Sequence, residues 1–175
     1  MGILKKLAGY GGLAVAVAIL AIFAMPSYRQ GEASPAGKSA EDFAMQLEGK
    51  PAHLSDLRGK VVVLNFWAAY CLPCVEEAPS LNQLQRRIAG RGGVVLGVSI
   101  DEDPVAYEKF LKDQDVPFPT WRDASKQVMF GYGTSLIPET YIIDRHGKIA
   151  RKVIGPQQWD SPDMLAYFDA LLGQG

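Results

Sequence analysis

The chain has 175 residues, 48 % of them hydrophobic, with 18 Lys and Arg against 19 Asp and Glu. That balance leaves no basic surplus to neutralise phosphates and argues against a nucleic-acid binder. Two cysteines and two histidines in the whole chain also argue against a zinc knuckle, which as a rule needs four ligands.

The N-terminal tip, residues 1–6, carries Lys5 and Lys6. From Leu7 to Met25 no residue is charged, and a helix of that length nearly spans a bilayer core. Arg29 is the only nearby charge beyond it, so the positive-inside bias holds residues 1–6 in the cytoplasm and exports the rest. Met25-Pro26-Ser27-Tyr28 offers no small-x-small cleavage site, and residues 7–25 read as a retained single-pass anchor in preference to a cleaved signal. Either way both cysteines are exported to where disulfide chemistry is permitted. Residues 26–41 are rich in Pro, Ser, Gly and Ala and read as a flexible tether; 42–175 then form one domain.

Within that domain Phe43, Met45 and Leu47 alternate with Ala44 and Gln46, Gly49-Lys50-Pro51 turns the chain, and Ala52-His53-Leu54 returns it as a hairpin. Residues 55–60 form a short turn. Val61-Val62-Val63-Leu64-Asn65-Phe66-Trp67 is apolar enough for a buried strand. The Val75–Gln85 stretch reads as a helix containing Pro79, which removes one backbone hydrogen bond and bends it. It ends at the glycines of 90–93. Residues 94–100 are a second buried strand. Asp101 or Asp103 caps the next helix, with Pro104 at its first position in the latter case. A short helix over 124–130 stops at Gly131. Residues 139–144 and 149–154 pair as an antiparallel hairpin, and a last helix starts at Pro162, capped by Asp160 or Ser161, and stops at Gly173. Two strand–helix units followed by a hairpin and a helix predict an α/β domain with a mixed central sheet and helices on both faces.

Cys71-Leu72-Pro73-Cys74 is the stretch that carries chemistry. It sits between the first buried strand and its helix, so Cys71 lies near a helix N-terminus, where free N–H groups and the dipole favour a thiolate. A gap of two residues puts both sulfurs on the first turn. A disulfide closing so small a loop restricts the unfolded chain little, which favours thiol–disulfide exchange over a structural crosslink.

Taken together, Leu57-Arg58-Gly59-Lys60 followed by the Val61–Ala68 block, Cys71-Leu72-Pro73-Cys74, Glu77, Pro79 and the later Tyr132–Asp144 block resemble the thioredoxin fold in its membrane-tethered bacterial branch. The likeness is to TlpA/ResA-like reductases and the cytochrome c maturation thioredoxins, over about residues 40–173. The resemblance implies a thioredoxin-like domain with an N-terminal hairpin extension, preceded by one transmembrane helix. It implies Cys71 and Cys74 as the redox pair, and Pro138 as a cis proline beside it. Ile137, just before that proline, would then pair its backbone with an extended substrate segment.

Glu77 lies one turn after Cys74, and the resemblance gives it the task of deprotonating the resolving thiol; otherwise it is a solvated acid, a role that suits Glu76 better. General thioredoxins carry an aspartate where this chain has Asn65, which cannot act as a base. Trp67 either packs beside the pair or is simply core. Tyr70, in place of the usual tryptophan, together with Leu72 and Pro73, shapes substrate fit, and Glu139 either borders the docking groove or is a surface acid.

The expected activity is that of an exported protein-disulfide reductase, with no bound cofactor or metal. Its clients are disulfide-containing exported proteins such as apocytochromes c during haem attachment, and a membrane thiol reductase is its electron donor. The resemblance further implies a monomer at the bacterial inner or cytoplasmic membrane, its domain on the periplasmic side. The alternatives are a general disulfide oxidase or isomerase, a peroxidase, against which stands Ala68 where that chemistry has Thr or Ser, and a non-catalytic binding or assembly module.

Overall fold

A computed structural model describes residues 35–173. The anchor expected over 7–25 lies outside them; among the described residues no helix is long and apolar enough to cross a membrane. A two-stranded hairpin opens the domain, β1 (Ala44–Leu47) and β2 (Lys50–His53), followed by a 3-10 turn over Leu54–Leu57. Five strands then form the central sheet: β3 (Val61–Trp67), β4 (Gly93–Ser99), β5 (Thr120–Arg122), β6 (Glu139–Ile143) and β7 (Ile149–Ile154). Four helices accompany them: α1 (Leu72–Ile88), α2 (Pro104–Asp113), α3 (Gln127–Gly131) and α4 (Pro162–Leu172).

The sheet order is β5-β4-β3-β6-β7. β3, β4 and β5 run parallel, while β6 lies antiparallel to both β3 and β7. This is the expected mixed sheet with its N-terminal hairpin. Every residue of β3 is buried, and its period-2 alternation feeds two cores. Val61 and Val63 join Leu81, Leu84 and Ile88 of α1 and Met164, Phe168 and Leu172 of α4. Val62, Leu64 and Phe66 join Met45 of the hairpin, Tyr107 and Phe110 of α2 and Met129 of α3. The strand that ends at the cysteines is thus gripped on both faces.

Three local expectations change. β5 is a short edge strand that the sequence left without assignment, because Pro117 and Pro119 mask its start. The short helix begins at Gln127 rather than at 124, since Asp123 folds back to accept from Ser125 Oγ and Val128 N. The expected tether also ends early. Gly37 N donates to Ile149 O, Ile149 N to Lys38 O, and Ala40 N to Gly147 O, so residues 37–40 are bonded to the β6–β7 hairpin.

Candidate active site

β3 ends at Trp67, and a turn over Ala68–Cys71 closes by Cys71 N donating to Ala68 O at 3.1 Å. Cys71 is the N-cap of α1, and Pro79 falls inside a helix that runs unbroken to Ile88. Cys71 and Cys74 form a disulfide with an S–S distance of 2.09 Å. Cys74 N donates to Cys71 Sγ at 3.3 Å and to Cys71 O at 3.0 Å. This N–H at the helix start is the kind of donor that steadies negative charge on a sulfur. Cys71 is 7 % exposed and Cys74 2 %, so the first sulfur is the more accessible one. Tyr70 and Leu72, at 71 % and 66 %, stand out beside it. Pro73 is half-buried.

One turn beyond Cys74, Glu77 is 4 % exposed while Glu76 is exposed. Its Oε2 accepts from the backbone N–H of Gln157 at 3.1 Å and from Trp159 Nε1 at 3.2 Å. Its Oε1 accepts from Asn65 Nδ2 at 3.0 Å. The same Asn65 nitrogen donates to Thr140 Oγ1 at 2.9 Å. Burial pushes the Glu77 carboxyl above its ordinary value; the donors from Gln157, Trp159 and Asn65 pull the other way and recover only part of that shift. Oε2 takes two donors and Oε1 takes one, which leaves Oε1 as the oxygen with room for a proton. Asn65, Trp67, Cys74 and Glu77 line one small cavity, so the carboxyl and the second cysteine share a compartment.

Gln157 and Trp159 were not singled out from the sequence. They lie in the loop between β7 and α4, which Ser80 also fastens: its Oγ accepts from Trp159 N at 3.1 Å. The only trace in the sequence is a tryptophan isolated in a polar turn.

The peptide bond Ile137–Pro138 is cis. Pro138 is buried and Ile137 half-buried. The β3–β6 register pairs Phe66 with Glu139, which sets Pro138 at the same end of the sheet as the turn carrying the cysteines.

A strand–CxxC–helix unit with a buried acid behind it narrows the comparison to thiol chemistry. The sequence model of the AhpC/TSA family matches residues 36–152. The chain belongs to this family. It is similar to the thiol-disulfide oxidoreductase ResA of Bacillus cereus, 37 % identical over 122 residues that cover 69 % of this chain and 70 % of the relative. ResA of Bacillus subtilis is 35 % identical over 120 residues, covering 68 % and 67 %. Among solved structures, a thiol:disulfide interchange protein DsbE from Chlorobium tepidum superposes with a TM-score of 0.74 at 33 % identity, covering 79 % of this chain and 98 % of that one.

The packing sets two residues whose place the sequence leaves open. Glu139 is 4 % exposed, so it is not a surface acid. Its carboxylate accepts from Thr134 Oγ1 and from Tyr141 Oη, the latter at 2.7 Å, and pairs with Lys152 Nζ at 3.0 Å. Strand pairing on both sides of β6 drives it inward. Trp67 is core: its ring stacks on Phe110 and Tyr107 at centroid distances of 4.0 and 5.9 Å. Its Nε1 has no hydrogen-bond partner among the described residues. His53, beside Asp42, and His146, in a turn, stay outside the site.

Proposed function

We propose that the chain is an exported, membrane-tethered reductase of disulfides in partner proteins, with apocytochromes c awaiting haem attachment as the leading client class. It is a redox-active thiol–disulfide oxidoreductase related to ResA and DsbE. The observation that carries the reductase reading is the buried Glu77 carboxyl sharing a cavity with Cys74, behind a helix-capping Cys71.

The Cys71 thiolate attacks one sulfur of the client disulfide. The sulfur–sulfur bond of the client breaks, its second sulfur leaves as a thiolate, and a Cys71–client mixed disulfide forms. Glu77 takes the Cys74 proton on Oε1. The Cys74 thiolate then attacks Cys71 Sγ, displacing the client's first sulfur and closing Cys71–Cys74. Two electrons pass to the client; of the two protons its thiols take up, one is the Cys74 proton passed through Glu77 and the other comes from water, since Cys71 enters as a thiolate. Ile137, Tyr70, Leu72 and Pro73 form the surface against which the client chain lies. A membrane thiol reductase returns two electrons to the pair, because an exported domain has no access to the cytosolic pool. The sequence of residues 1–29 supports an orientation with the domain on the periplasmic side.

The test is trapping in the native membrane. A Cys74→Ala chain leaves Cys71 unable to resolve its mixed disulfide, and captured partners are identified by mass against a Cys71→Ser control. Apocytochromes together with a membrane thiol reductase are the expected catch. A broad set of unrelated exported proteins would favour general exchange, including the oxidase or isomerase alternative. Nothing dependent on Cys71 would favour a binding module.

A further inference from the structure

Asp101 is a second buried carboxylate at the cysteine end of the sheet, and the exchange steps above do not use it. It follows β4 and is 2 % exposed. The helix cap that the sequence offered to Asp101 or Asp103 belongs to Asp103, whose Oδ1 accepts from Val105 N at 2.8 Å. Asp101 instead turns inward. Both its oxygens accept the backbone N–H of Ala69 at 3.0 Å. Oδ2 also accepts from Ser99 Oγ at 2.7 Å, and Ser99 Oγ in turn accepts from Asp101 N at 3.0 Å. Arg122 Nη1 donates to the carbonyls of Asp101 and Glu102 at 3.2 Å each.

Ala69 is the second residue of the turn Ala68–Cys71. A buried carboxylate is retained at such a position only where N–H and O–H donors meet it, and here the principal backbone donor comes from the turn that ends at the redox pair. Ile100 N donates to Trp67 O at 2.9 Å on the preceding step of chain, so the two residues just past β4 fasten the end of β3 and then this turn.

We propose that Asp101 is a positioning residue for Cys71: through the Ala69 amide it fixes the turn from which the attacking sulfur is presented at the start of α1. This rests on the reading of Cys71 as the attacking thiol. Asp101 touches neither sulfur nor client; it acts on where the nucleophile stands, and an ångström of misplacement is enough to slow a bond-forming step severely.

The experiment compares the 175-residue chain in detergent with its Asp101→Ala, Asp101→Asn, Cys71→Ser and Arg145→Met variants. The readouts are kcat and KM for reduction of insulin disulfides with an excess of a small dithiol to re-reduce Cys71–Cys74, the rate of the dithiol alone subtracted, and the melting temperature of each variant measured alongside. Arg145 fastens Gly59 O and Leu172 O away from the site, so Arg145→Met reports on destabilisation alone. Asparagine keeps one oxygen for Ala69 N and an N–H for Ser99 Oγ. The expected result is a kcat lowered about tenfold in Asp101→Ala with KM unmoved, recovery to within about threefold in Asp101→Asn, and a wild-type kcat in Arg145→Met. A kcat in Asp101→Ala that matches wild type after correction for the folded fraction would overturn the proposal. So would an Asp101→Asn as slow as Asp101→Ala, since the acceptor would then not be what matters. A Cys71→Ser chain as active as wild type would sink the underlying reading as well, and is told apart by that variant alone.

Discussion

Glu77 shows how a single side chain acquires its environment from residues far along the chain. Its donors come from β3, from the Gln157 amide and from Trp159, and burial still leaves its carboxyl raised. The folded state therefore holds that proton more tightly than the unfolded chain does. By linkage, Glu77 contributes most to stability below the ordinary carboxyl value, and this contribution is lost as pH rises from there through the raised folded value. In Glu77→Gln that loss should disappear: urea titrations of the oxidised protein from pH 4 upward should show a flatter stability profile than wild type. Trp159→Phe removes one N–H from the ionised form and should move the same loss to higher pH. Spacing places Glu77 one turn from Cys74, and its candidacy comes from the family resemblance. Its partners were not legible, because no local pattern tells that residues 157–159 return to α1 about eighty positions later.

At the scale of elements, β6 and β7 carry a buried ion pair beneath the cis-proline segment. Lys152 sits opposite Tyr141 in the register, its Nζ 5.3 Å from the centre of the Tyr141 ring and 3.0 Å from Glu139. Tyr141 Oη lies 2.7 Å from both Glu139 Oε1 and Tyr132 O and has one proton to give to either, so the pair is tied to the segment leading to Pro138. Removing one partner of a buried pair leaves the other charge uncompensated. Lys152→Met should therefore cost about 3 kcal/mol in denaturant unfolding, with much of it recovered in the Lys152→Met, Glu139→Gln double variant. A second consequence belongs to β4. A Cβ at Gly97 would lie 2.9 Å from Trp67 Nε1 and 3.1 Å from Thr120 Cγ2. Gly97→Ala should thus shift the Trp67 ring and be read as a changed near-ultraviolet circular dichroism spectrum with a lowered melting temperature. The strands themselves were legible as apolar runs. Neither Glu139 nor Trp67 was, since a polar or aromatic residue near a strand end reads equally as surface or core until the neighbouring strands are in place.

For the whole molecule, the boundary of the folded domain is a physical question with a measurable answer. Composition alone puts the end of the tether at residue 41, because Pro, Ser, Gly and Ala bury little apolar area. Backbone pairing moves that end toward the N-terminus. The bonds from Gly37, Ala40 and Ile149 join this segment to the β6–β7 hairpin, Tyr132 Oη donates to Glu41 O at 2.6 Å, and Ala40 packs on the core containing Met45 and Phe66. None of these contacts involves side-chain patterning that a sequence displays, which is why the segment read as linker. Every buried residue of both cores lies at or beyond Met45, so a chain starting at Pro35 should fold and melt within a few degrees of the 175-residue chain. A chain starting at Asp42 should keep both cores yet lose those four hydrogen bonds, each worth about 1 kcal/mol net. Denaturant titration of the two truncations should then separate them by about 2–4 kcal/mol. The shorter chain should also leave Tyr132 without its acceptor next to the segment that ends in Pro138, so its KM for a protein disulfide should rise more than its kcat falls. Equal stability and equal KM in the two truncations would return residues 35–41 to the tether.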